Sequence, residues 1–63
     1  MTEEYAGFFD GKERTLCLIR RDQCNDMVFG DYYWRHDMGY HGLMPLDDWK
    51  RIYADSAIEI VNI

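Results

Sequence analysis

The sequence has little that could brace a small fold covalently or anchor it to a membrane. It has two cysteines, Cys17 and Cys24, and one proline, Pro45. Two thiols can close at most one bridge, whereas small secreted domains are usually dense in disulfides. The N-terminus, MTEEYAG, is acidic rather than basic and apolar, so no secretory signal is expected. No apolar run approaches the roughly 20 residues that cross a bilayer. The expectation is a cytoplasmic protein with both thiols reduced and no membrane association. Positive charge is also scarce: seven Lys and Arg stand against twelve Asp and Glu, for a formal charge of −5. Affinity for phosphates comes from Lys and Arg, so direct nucleic-acid binding is disfavoured. The glycines at 7, 11, 30, 39 and 42 are scattered, and none opens a helix in the pattern of a phosphate-binding loop.

Aromatic residues and acid are what the chain does have. Its 63 residues make one acidic α+β domain, 1–63, with no linker and no internal repeat. A domain this short buries only about 60% of the surface its unfolded chain exposes, so self-association into a homodimer is expected to add support. Ten residues are Phe, Tyr or Trp, more than a small core requires, and aromatics are enriched where proteins bind one another. A negative surface keeps a chain soluble and repels DNA, but it also attracts proteins whose clefts hold DNA.

The pattern along the chain predicts the order βββαβ, a mostly antiparallel four-stranded sheet with one helix. Tyr5 to Phe9 and Thr15 to Arg21 read as a hairpin turned at Asp10-Gly11. In its second strand Leu16 and Leu18 share one face, and Cys17 and Ile19 the other. After the polar run 22–26, Met27 to Arg35 is predicted as a third strand, with Met27, Phe29 and Tyr33 on one face and Val28, Tyr32 and Trp34 on the other. Both faces of this sheet carry large side chains. Either a helix covers one face and a second subunit the other, or one aromatic face is left for a partner. The stretch 36–44 has two glycines and no clear period, and reads as a loop. Pro45 suits the first position of a helix over 45–54, with Asp47 and Asp48 in its first turn and Lys50 and Arg51 later, matching the helix dipole. Leu46, Trp49, Ile52 and Tyr53 fall within an arc of about 120°, one apolar stripe. Ala57 to Ile63 is a β-branched last strand, expected to run parallel to the first or third through a crossover.

Candidate chemistry is thin. Nucleophilic catalysis would draw on Cys17 or Cys24 with His36 or His41, yet neither cysteine lies in a recognisable motif. Cys17, between leucines in a strand, reads as a small buried hydrophobe. His36, Asp37 and His41 lie within six residues, and Cys24 could join them, but the spacing matches no standard zinc pattern. The reading is therefore a binding protein, with neither enzymatic activity nor cofactor expected. A small metal-binding module or enzyme built on His36 and His41 is the rival from another class. In the helix, Trp49 and Tyr53 are four residues apart and meet on one side. Core packing explains such a pair, and so does an apolar pocket ringed by acids for a partner's protruding side chain.

The segment Asp48-Trp49-Lys50-Arg51-Ile52-Tyr53-Ala54-Asp55-Ser56-Ala57-Ile58-Glu59-Ile60 resembles, without gaps, the helix and last strand of the small uracil-DNA glycosylase inhibitors of Bacillus phages. The matching features are Asp48-Trp49, Ile52-Tyr53, Ser56-Ala57 and Glu59-Ile60. Gly42-Leu43 and Leu46 also fit, with Pro45 as an extra residue, and Tyr32-Tyr33 and His36 resemble the preceding strand and loop. The similarity covers about half the chain. It implies a homodimer that mimics DNA and fills the glycosylase's DNA-binding cleft, with an apolar pocket for the leucine that the enzyme pushes into the duplex during base flipping. The family's pocket aromatics correspond to Trp49 and Tyr53. Its principal acidic contact falls on Trp34 or Gly39, so Asp31 or Asp37 would have to substitute. The extra N-terminal strand and longer loop also depart from the family. The resemblance thus points to a phage or mobile-element inhibitor acting in a host cytosol, blocking base-excision repair, with Trp49, Tyr53, Ile52, Leu46, Asp31, Asp37, Asp48 and Trp34 as candidate partner-binding residues. An anti-CRISPR or anti-restriction inhibitor of another nucleic-acid enzyme would share the acidity but not the helix match.

Overall fold

The computed structural model describes residues 3–63 and shows an α+β architecture: a four-stranded mixed sheet with helical segments on both of its faces. Strands β1 (Glu4–Asp10) and β2 (Thr15–Arg20) form the expected hairpin. The Asp10 carboxylate closes the turn by accepting from the backbone N–H of Lys12 at 2.9 Å. A single 3-10 turn, Arg21–Gln23, leads to helix α1 (Asp26–Gly30), which runs directly into a π-helical turn over Asp31–Arg35. Strand β3 (Gly39–Pro45), helix α2 (Leu46–Ile52) and strand β4 (Ala57–Val61) complete the chain. The sheet order is β3-β1-β2-β4, with β1 antiparallel to both neighbours and β4 parallel to β2.

Two expectations are corrected. Met27 to Arg35 is helical, not a third strand. Asn25 caps α1 by accepting from the Val28 N–H at 3.0 Å, Asp26 sits in the first turn, and Asp31 and Arg35 pair at i,i+4. These local helix signals, together with the docking of Val28, Phe29 and Tyr32 on the sheet, outweigh the β propensity of Phe, Tyr and Trp. The third strand lies instead at Gly39–Pro45, within the stretch read as a loop, so the element order is ββαβαβ. Its regular alternation is broken at His41, which sits unpaired between Gly7↔Gly42 and Phe8↔Tyr40 as a bulge. Strand β4 runs in the same direction as this third strand but pairs with β2, at the opposite edge of the sheet.

The sheet divides the core into two layers. Ala6, Phe8, Cys17 and Ile19 meet Val28, Phe29 and Tyr32 on the α1 side. Tyr5, Leu16 and Leu18 meet Trp49, Leu46 and Tyr53 on the α2 side. Leu16 and Leu18 therefore share one face, and Cys17 and Ile19 the other, as their alternation requires. The second face is covered by the chain's own α1 and π-helical segment, in place of the second subunit or open aromatic sheet expected from the sequence. No helix among the described residues is long and apolar enough to cross a membrane.

Candidate partner-binding groove

The helical stripe at 46–53 is largely core. Trp49 is 0% exposed. Its indole lies flat over Gly7 in the central strand β1, and its Nε1–H donates to the Tyr5 carbonyl at 3.0 Å. A side chain at Gly7 would fill the space that the ring occupies. Trp49 thus offers no surface to a partner, which corrects its expected role: the apolar demand of the sheet draws it inward, and its one polar group is satisfied there. Tyr53 is half-buried, packed on Trp49, Phe9 and His41, and Leu46 is half-buried against the same core. Ile52 remains exposed, and Asp48 pairs with Arg51 at 3.4 Å on the outer surface of α2.

The remaining candidates lie elsewhere. Trp34 and Asp31 belong to the π-helical turn on the opposite face of the sheet from α2, and Asp37 follows in the loop, paired with Lys12. Asp31 is held by Arg35 at 3.3 Å and by His36 Nε2 at 3.4 Å. The structure therefore separates the eight candidates instead of gathering them around one pocket. The two histidines are parted as well: His36 stacks on Tyr32 on the α1 side, and His41 packs against Phe9 and Tyr53 on the α2 side. Among the described residues no three His, Cys, Asp or Glu side chains are placed to hold a metal ion. Both cysteines are free thiols; burial pushes Cys17 upward in pKa, helped by the charges of Glu59 and Asp10, and burial alone raises Cys24. Neither has the lowered pKa that activates a nucleophilic thiolate.

An open groove of about 720 Å³ does exist, between the α1 and π-helical segment and the end of β4. Val28, Tyr32 and Val61 belong to its lining, together with Met27, Trp34 and Ile63. Met27 is 85% exposed and Trp34 81%, and Ile63 is also exposed. These three large apolar side chains stand open on neighbouring elements around one groove. Trp34 is not loosely placed. Its ring meets Tyr33 edge-on at 5.5 Å, Tyr33 stacks on Phe29 at 5.7 Å, and Phe29 meets the fully buried Phe8 at 5.6 Å. This ladder of rings connects the exposed Trp34 to the core. The π-helical turn beneath it is a geometry found often at functional sites.

Acid flanks the groove. Asp26 and Asp31 contribute to the lining, where Arg35 also lies, and Glu59 stands outside it on the same face of β4 as Val61. Asp26 and Glu59 have no ion-pair partner among the described residues. Sequence reasoning singled out Trp34 and Asp31 but missed Met27, Asp26 and Ile63. The available signal was helical spacing: Met27, Asp31 and Trp34 stand at i, i+4 and i+7, one face of a helix. No protein-family model, curated protein or solved structure matches the chain.

Proposed function

We propose that this protein acts by binding another protein, whose apolar side chain enters the groove between Met27 and Trp34 while its basic residues meet the surrounding acid. The observation that carries this reading is the placement of solvent-exposed Trp34 and Met27 around one groove with Asp26, which has no ion-pair partner among the described residues. A net charge of −5 gives such a surface long-range attraction for cationic partners. Proteins with DNA-binding clefts are the class that suits it, and inhibition by DNA mimicry is the activity we assign. Uracil-DNA glycosylase is the first target to test, on the strength of the sequence resemblance over 48–60. In this reading the groove on the α1 side, and not the buried Trp49, receives the enzyme's protruding side chain.

The test is excision of uracil from DNA by purified glycosylase, with the protein added in stoichiometric amount. Excision should be blocked, and the block should weaken with added salt and with Trp34→Ala. The same assay on a restriction endonuclease and on an RNA-guided nuclease separates the alternative targets. If all three enzymes are unaffected, the inhibitory reading is wrong.

A further inference from the structure

The four-stranded sheet packs helical segments on both faces, so its outer strands β3 and β4 are where sheet backbone meets solvent among the described residues. They differ in kind. The β3 edge is blunted by the His41 bulge, by Gly42 at a φ of 117° and by Pro45, all features that discourage a further strand. The β4 edge has none of them. Its sequence is Ala-Ile-Glu-Ile-Val, its pairing with β2 runs without a break from Thr15↔Ala57 to Ile19↔Val61, and it includes no lysine, proline or bulge. Half of its peptide groups point away from β2, toward solvent.

We propose that the outer edge of β4 is a strand-docking site for an extended, basic and aliphatic segment of a protein partner, laid beside Ala57–Val61 so that alternate side chains reach the Trp34 groove. This inference rests on the protein-binding reading given above and specifies the partner's form. Side chains alternate in a strand, so a docked segment has one set on the α1 side and one on the α2 side. On the α1 side it meets Glu59 and then Val61, at the mouth of the groove; a basic residue suits the first position and an aliphatic one the second. On the α2 side it meets Ile58 and Ile60, of which Ile60 is 43% exposed, and another aliphatic residue suits that place. The recognised pattern is therefore a basic residue and an aliphatic residue two positions apart, with an aliphatic between them. A second copy of this chain is a poorer occupant. It would bring another net charge of −5 against an edge that carries Glu59, which has no ion-pair partner among the described residues.

The probe is a fluorescein-labelled peptide, Thr-Val-Arg-Val-Leu-Val-Thr, in three forms: unmodified, N-methylated on the Arg and Leu amides, and N-methylated on the three Val amides that alternate with them. In a strand these two sets of amides face opposite edges. The expected result is binding of the unmodified peptide, a loss of about tenfold or more on methylating one set, and little change on methylating the other. Amide chemical shifts at Ala57–Val61 should move on binding, and Glu59→Lys should weaken the Arg peptide but not a version with Thr in place of Arg. Absence of binding by the unmodified peptide, equal binding by both methylated forms, or dimers in a native mass spectrum with amide shifts at Ala57–Val61 that change with protein concentration overturns strand docking. The protein-binding reading fails separately: it is lost if Trp34→Ala leaves both peptide binding and enzyme inhibition unchanged. If all three peptides bind alike and Trp34→Ala weakens them all, the groove stands and the strand pairing falls.

Discussion

The indole of Trp49 occupies the space above Gly7, where a Cβ would come within 2.6 Å of Cζ2. The two residues are far apart in sequence and form one packing unit, sealed by the hydrogen bond from Nε1 to the Tyr5 carbonyl. Gly7→Ala should therefore destabilise the fold by about 1–3 kcal/mol, because the ring has no free volume to yield. Trp49→Phe should cost a comparable amount through the lost ring volume and the unpaired carbonyl. Combined, the two changes should cost less than their sum, since the smaller ring makes room for the methyl group. Urea unfolding of the four proteins reads this coupling directly.

On the other side of the sheet, helix α1 depends on its cap. Asn25→Ala should cost about 1 kcal/mol by freeing the Val28 N–H. Because α1 supplies Val28 to the buried layer, the variant should also expose the Phe8 and Cys17 face to local opening. Faster hydrogen exchange at the Val28 and Phe29 amides, both of which donate to Asn25, would show that loss.

These two sites also show how far the sequence could be read. The hairpin, α2 and β4 follow from strong signals: alternation around Leu16 to Ile19, the acidic first turn after Pro45, and the β-branched run at 57–61. The segment 27–35 misled because its aromatic residues satisfy an alternating pattern and a helical one equally well. What separates the two is the Asn25 cap with Asp26 behind it, together with a long-range demand: Val28, Phe29 and Tyr32 must all contact one sheet face, which alternation does not allow. The strand at 39–45 was hidden by the His41 bulge, which breaks its period. The candidate site was legible only in part. Trp34 and Asp31 could be named, but the burial of Trp49 depends on the absence of a side chain at Gly7, a contact that no local pattern encodes.

The thiols give a pH dependence. Burial raises Cys17 and Cys24 above their ordinary value of 9.0, so the folded state favours the protonated form. A group whose pKa is higher in the folded state adds stability that is complete below its unfolded pKa and is lost as pH rises through the folded one. Tyr32 is raised from its ordinary value of 10.0 and acts in the same direction. The urea midpoint should thus hold steady between neutrality and about pH 8 and fall above about pH 9, and Cys17→Ala should reduce the slope of that fall.

Exposed residues should separate binding from folding. Met27→Ala and Trp34→Ala should change stability by no more than about 0.5 kcal/mol, since both side chains face solvent. In complex with a partner, removal of Trp34 should cost about 2 kcal/mol or more, as expected for an aromatic anchor at the centre of an interface. Thermal unfolding and partner titration of the same preparations would check both halves.

The most direct measurement is a titration of uracil excision with the native protein, Trp34→Ala and Ile52→Ala, each at low and at physiological salt. The native protein should inhibit at stoichiometric concentration, Ile52→Ala should match it, and Trp34→Ala should require about thirtyfold more protein. Inhibition by Trp34→Ala equal to that of the native protein, or a loss confined to Ile52→Ala, would contradict the assignment of the α1-side groove as the recognition surface.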